Sequence, residues 1–196
     1  QRPMLIVEDL MRRNGLYSSR VVLLGLGMMT LLGTLAWAQQ LETHENREGW
    51  KETRLGESQV VRWRIIGDGE DRPFVEAEAA RIGGIEVLGY RSQAYVAEAL
   101  GTADVLVLPS FAEGVPVALM EAMVSARPVI ATRVGGVQEL VEDGVSGRIV
   151  APGDVAALAD AMVDLAADPA RRRRMGAAGR AKVCAEFDID QEAVWL

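Results

Sequence analysis

From residue 60 to the carboxyl end, short apolar runs rich in β-branched residues alternate with amphipathic stretches, and this alternation constrains the fold more than any other feature. Compact apolar runs separated by helix-length segments are the mark of βα units, whose strands lie side by side in a parallel sheet covered on both faces. The runs 61–66, 85–88, 105–108, 129–131 and 148–150 are predicted strands. Helices are predicted over 73–82, 93–100, 116–125 and 137–141. A longer helix follows over 154–167, with Asp154 as its N-cap after Pro152-Gly153, and a last one runs over 170–186. The expected fold class is α/β: a Rossmann-like parallel sheet with helices on both faces, occupying 60–196.

The first 59 residues read as an irregular amino-terminal segment. A buried strand over 20–24, the turn Gly25-Leu26-Gly27 and a helix over 28–41 would continue the downstream pattern. A second reading competes with it. Residues 21–38 carry no charge, follow Arg12, Arg13 and Arg20, and end Ala36-Trp37-Ala38. That is the form of a secretory signal peptide, and the length would also just permit a membrane span. Residues 42–59 are polar without a sustained period and are expected to form a loop or linker, leaving His44 solvated. Leu23-Leu-Gly-Leu-Gly27 echoes Ile65-Ile-Gly-Asp-Gly69, a strand-to-helix turn that recurs in doubly wound sheets without duplication.

At 196 residues, 49% hydrophobic and 25% charged, the chain has the composition of a soluble globular protein. A net charge of -7 argues against a nucleic-acid surface, which needs an excess of Lys and Arg. The run Arg171 to Arg174 is the local exception, read as a solvated helix face or, alternatively, a peripheral contact with an anionic membrane. One cysteine, Cys184, and one histidine exclude an intrachain disulfide and a His/Cys zinc cluster, and fit a reducing compartment. Cys184 is expected to be a small buried hydrophobe, since no histidine lies nearby in sequence to activate it.

In an open α/β sheet, ligands bind beyond the carboxyl ends of the strands, so the loops after Ile66, Leu88, Leu108 and Ala131 should share one rim. The loop after Leu108 is the best equipped. Gly114 lets backbone approach a ligand closely, and Pro116 suits the first turn of a helix whose free amides attract phosphate. Glu113 stands before that helix and Glu121 about five residues into it, roughly 7 to 8 Å along the axis from Pro116. A nucleotide diphosphate held at the amides between them could place its sugar toward Glu113 and its ribose toward Glu121, whose carboxylate can accept both hydroxyls of a vicinal diol. Taken in isolation, the pair could equally be a solvated loop glutamate and a helix-surface glutamate.

The surrounding motifs extend the argument. Trp63-Arg-Ile-Ile-Gly-Asp-Gly69, Ile85-Glu-Val-Leu-Gly-Tyr90, Ala103-Asp-Val-Leu-Val-Leu-Pro-Ser110 and Glu113-Gly-Val-Pro-Val-Ala-Leu-Met-Glu-Ala-Met123 occur in order. They are followed by Arg127-Pro-Val-Ile-Ala-Thr132, Gly135-Gly-Val-Gln-Glu139, Gly144-Val-Ser-Gly147, Pro152-Gly-Asp154 and the tail Phe187-Asp-Ile-Asp190. The series resembles the family 4 nucleotide-sugar glycosyltransferases of GT-B architecture, in which two Rossmann-like domains face each other; the match is to the carboxyl-terminal, donor-binding half. The Ser110-Phe-Ala-Glu-Gly run and the tail are most similar to bacterial enzymes that build exopolysaccharides such as colanic acid.

This resemblance implies a hexosyltransferase that uses a UDP- or GDP-sugar, retains the anomeric configuration, and acts on a glycan or lipid-linked acceptor. No cofactor and no metal are implied. Glu113 would contact the transferred sugar as the catalytic residue, Glu121 the ribose, and the segment Gly114-Val115-Pro116-Val117 would turn its free amides to the diphosphate. Gly67 and Gly69 would shape the neighbouring loop, and Tyr90 and Arg91 would border the base pocket. Gly135, Gly136 and Glu139 match the next loop and helix start, where a tight turn with a capping carboxylate is an equal alternative to ligand contact.

The resemblance also implies an amino-terminal acceptor domain as partner, with a catalytic histidine, and a diphosphate-neutralising Arg and Lys; these have no counterpart in this sequence beyond Arg2 before Pro3. Asp188-Ile-Asp190 imitates an Asp-x-Asp metal motif but lies past the last helix, away from the rim, and Gly25-x-Gly27 lacks the third glycine and later acid of a dinucleotide site. The expected location is the cytoplasm, at the inner face of the membrane if Arg171 to Arg174 touch lipid. A non-catalytic nucleotide-sugar-binding module is the alternative from another class; a nucleotide-sugar epimerase fits the motif order less well.

Overall fold

In the computed structural model the described residues are 18–23, 42–45, 51–55, 59–114 and 116–187. Their strands are β1 (Ser18–Leu23), β2 (Glu42–Glu45), β3 (Lys51–Leu55), β4 (Gln59–Ile66), β5 (Ile85–Gly89), β6 (Val105–Leu108), β7 (Val129–Thr132) and β8 (Gly147–Val150). Their helices are α1 (Arg72–Ile82), α2 (Gln93–Thr102), α3 (Val117–Val124), α4 (Val137–Leu140), α5 (Val155–Ala167) and α6 (Pro169–Glu186). All strands join one sheet.

Six strands are parallel, in the order β5-β4-β1-β6-β7-β8. Counted along the chain without the β2–β3 insertion, this is the 3-2-1-4-5-6 order of doubly wound nucleotide-binding sheets. The strand expected over 20–24 is β1, and it occupies the middle of the sheet between β4 and β6. The helix expected over 28–41 lies outside the described residues. Among the described residues, no helix is long and apolar enough to cross a membrane.

The loop or linker expected over 42–59 is corrected. Antiparallel β2 and β3 fall there, with Glu42 opposite Arg54 and His44 opposite Glu52, so His44 is a strand residue. β3 pairs with residues 59–61 of β4, and β5 takes the following stretch from Trp63 on the same edge. Polar strands that form by backbone pairing with a neighbour carry no periodic apolar signal, and periodicity was the only guide to this stretch.

The apolar runs behave as strands covered on both faces should. All four residues of β6 are buried. Successive side chains point to opposite faces, so Val105 and Val107 join a cluster with Trp63, Ile65, Ile130 and Leu158, whereas Leu106 and Leu108 join one with Leu100, Leu119, Ala131 and Leu140. Helix α6 serves both clusters, through Met175 in the first and Val183 in the second.

Asp154 caps α5 as expected, accepting from the Ala157 amide at 2.9 Å. Asp168 caps α6 in the same way through the Arg171 amide at 2.8 Å, a bond that holds its carboxyl below the usual range. The arginine run is not a uniform solvated face: Arg172 is buried and donates to the Leu165 and Ala166 carbonyls at 2.6 Å each, closing the end of α5. Arg171 lies 3.6 Å from Asp164, while Arg173 and Arg174 are exposed. Cys184, expected to be buried, is exposed, because Val183 beside it takes the inward position on α6.

Candidate functional site

Strand order reverses between β1 and β6, and in open α/β sheets the crevice outside the carboxyl ends at that reversal is where ligands bind. The loop that carries Glu113 leaves β6 at this point. It is built on buried polar groups. Ser110 is 3% exposed and donates from Oγ to Glu113 Oε1 at 2.7 Å. Its carbonyl accepts a hydrogen bond from Thr132 Oγ1 at the end of β7, and Thr132 is 1% exposed.

The next loop closes on the same segment. The Gly136 amide donates to the Gly114 carbonyl at 3.0 Å. Gly135 has φ +45°, and a Cβ there would lie 1.8 Å from the Glu113 carbonyl oxygen. Gly135 and Gly136 thus form a tight turn that grips the backbone of Glu113 and Gly114, and the helix start at Gly136 has no side-chain cap. A Cβ on Gly114, by contrast, would meet nothing within 4 Å, so protein packing does not demand glycine at that position.

Val115 lies outside the described residues. Pro116 was expected as the first helical residue; it is instead the extended N-cap of α3, with φ -77° and ψ 111°. Its carbonyl accepts from the Leu119 and Met120 amides at 3.0 and 3.4 Å. Proline offers no capping side chain, so the amides of the first turn, Val117 and Ala118, keep the acceptor demand that every helix start carries. Val117 is exposed.

Glu121, half-buried on α3, accepts from Gln93 Nε2 at 3.2 Å, which ties it to the start of α2. That helix follows the loop of Tyr90 and Arg91. The Gly67 amide donates to the Gly89 carbonyl at 2.8 Å, joining the ends of β4 and β5. The Gly69 amide donates to Asp68 Oδ1 at 3.1 Å within its own turn. Tyr90 is 76% exposed, and Arg91 donates to the Tyr90 carbonyl at 3.1 Å while its guanidinium sits 5.6 Å from the centre of the Tyr95 ring. Glu139 is exposed on α4.

Two linked groups thus share one rim. One runs from Ser110 through Glu113 and Gly114 to Thr132, Gly135 and Gly136; the other runs from Gly67 through Tyr90, Arg91 and Gln93 to Glu121. Sequence reasoning passed over Ser110, Thr132 and Gln93 as participants. For Ser110 and Thr132 a signal existed, since each is a hydroxyl residue at the polar end of an apolar strand. Gln93 had none, because only the fold brings the start of α2 to α3.

Residues 39–168 match the family described as Glycosyl transferases group 1. The chain is 37% identical over 110 residues to the amylovoran biosynthesis glycosyltransferase AmsK of Erwinia amylovora, covering 53% of this chain and 27% of that protein. Among solved structures it resembles a sucrose-phosphate synthase from Thermosynechococcus elongatus, with TM-score 0.69 and 26% identity over 92% of this chain and 44% of that one. It also resembles Anabaena HepE in complex with UDP, with TM-score 0.57 and 25% identity over 64% and 36% of the two chains. These likenesses bear out the expected half of a GT-B fold. The matches span 25% to 34% of the length of the curated relatives.

Proposed function

Because this chain belongs to the group 1 glycosyl transferases, we propose that its rim binds the nucleotide-diphosphate sugar of a glycosyltransferase. The observation that carries the proposal is the placement of Glu113 and Glu121 on either side of a helix start without a capping side chain, at the point where strand order reverses. The diphosphate lies at the Gly114 to Val117 segment, bound by the amides of its non-proline residues, with the sugar toward Glu113 and the ribose against Glu121. Gly67 and Gly69 shape the adjoining loop, and Tyr90 and Arg91 border the base. That HepE binds UDP supports a uridine or related nucleotide here.

In this reading the anomeric carbon of a hexose leaves the diphosphate oxygen and bonds to an acceptor hydroxyl with retained configuration, and the hydroxyl proton passes to the departing diphosphate. The helix start stabilises the growing negative charge on that leaving group, while binding holds the acceptor hydroxyl on the same face of the sugar as the departing diphosphate. The acceptor is a glycan or lipid-linked sugar met from the cytoplasm, and the likeness to an amylovoran enzyme supports a role in exopolysaccharide synthesis.

Titration calorimetry with UDP-glucose and GDP-mannose tests the site. Glu121→Ala is expected to weaken nucleotide binding about 10- to 100-fold, the equivalent of one charge-assisted hydrogen bond or more. Glu113→Ala is expected to abolish slow donor hydrolysis. Failure of every nucleotide to bind would overturn the proposal, and binding without turnover would favour a non-catalytic module.

A further inference from the structure

Ser110, Thr132, Ser146 and Arg172 are the buried polar residues among those described. Two of these serve local backbone: the Ser146 hydroxyl meets the Glu142 amide at 2.9 Å, and Arg172 closes α5. Ser110 and Thr132 are different, because their hydrogen bonds converge on the segment that carries Glu113. An apolar residue of similar size would fill the end of β6 as well as Ser110 does. Its buried hydroxyl is accounted for by a partner, as buried polar groups generally are, and that partner is the Glu113 carboxylate at 2.7 Å.

The backbone around this bond is held from the other side. Thr132 fixes the Ser110 carbonyl, and the Gly136 amide fixes the Gly114 carbonyl, so the segment is anchored at one end by the last residue of β7 and at the other by the loop that follows it. A glutamate on a free loop samples many rotamers; one tied to a buried hydroxyl on an anchored backbone keeps one.

We propose that Ser110 is a positioning residue for the donor sugar: its buried hydroxyl, held in register by Thr132, sets the Glu113 carboxylate so that the site recognises the sugar half of a nucleotide-sugar separately from the nucleotide half. This inference rests on the reading of Glu113 as the sugar contact. Ser110 itself touches no ligand.

The test compares Kd for UDP-glucose with Kd for UDP, and for GDP-mannose with GDP, in the full chain and in Ser110→Ala, Ser110→Thr and Glu113→Ala. Ser110→Ala is expected to weaken the sugar-bearing ligand about tenfold relative to the bare nucleotide, the scale of one hydrogen bond to a charged group. Bare-nucleotide affinity and Tm stay close to those of the parent, and Ser110→Thr, which keeps the hydroxyl, restores most of the ratio. A ratio unchanged in Ser110→Ala but lowered in Glu113→Ala overturns the positioning role and leaves the Glu113 contact standing. Equal losses for both ligands make Ser110 merely structural and also overturn it. A ratio unchanged in Glu113→Ala, or no binding at all, removes the sugar contact and the inference with it.

Discussion

Gly114 and Gly135 meet across the rim, yet a side chain would be felt differently at each. A Cβ at Gly135 would sit 1.8 Å from a backbone oxygen and on a left-handed φ, so Gly135→Ala forces the loop after β7 away from Glu113. A Cβ at Gly114 would project into open space, so Gly114→Ala leaves the fold alone and obstructs only a ligand backed against the loop. Gly135→Ala is therefore expected to lower both Tm and nucleotide-sugar affinity, the former by the equivalent of about 1 to 3 kcal/mol. Gly114→Ala is expected to keep Tm and lose affinity alone, read by thermal melts and calorimetry on the same samples. The importance of both glycines was visible in the motif, but which one serves the chain and which the ligand was not, because their difference lies in a neighbour distant in sequence.

Among elements, α3 shows how a helix can end against its own preference. The Arg127 amide donates to the Ala122 carbonyl and the Ala126 amide to the Met123 carbonyl, each at 2.9 Å, the pattern of a Schellman cap. The residue in the left-handed position is Ala126, with φ 55°, where glycine is usual. The strain buys a contact for α6, since the Ala126 carbonyl faces Gly176 so closely that a Cβ on Gly176 would come within 2.0 Å of it. Ala126→Gly keeps both cap bonds and relieves the left-handed strain, and it is expected to stabilise the protein by about 0.5 to 1 kcal/mol, measured as a rise in urea midpoint at constant slope. Helix α3 was legible from its apolar residues, and its start was off by one because Pro116 can serve either as N-cap or as first residue. Its end carried no glycine, so the chain offered no sign of the cap.

For the whole molecule, the 3-2-1-4-5-6 strand order places the expected site loops after β4, β5, β6 and β7 at one end of the sheet. Hydrogen exchange with saturating UDP-glucose should slow amides at 89–93, 109–117 and 132–137, and leave those at 83–84, 126–128 and 144–147 unchanged; uniform slowing would indicate general stabilisation instead. The sequence by itself determined the βα alternation, the strands from β4 onward, the α5 cap and the Glu113 to Glu121 motif, because each depends on residues near one another in the chain. Only the tertiary structure decided that β1 stands at the centre, that β2 and β3 extend the sheet, that Thr132 reaches Ser110, and that Gly135 and Gln93 reach the two glutamates. Those arrangements depend on backbone pairing and loop closure between distant segments, which leave no local trace in composition or period.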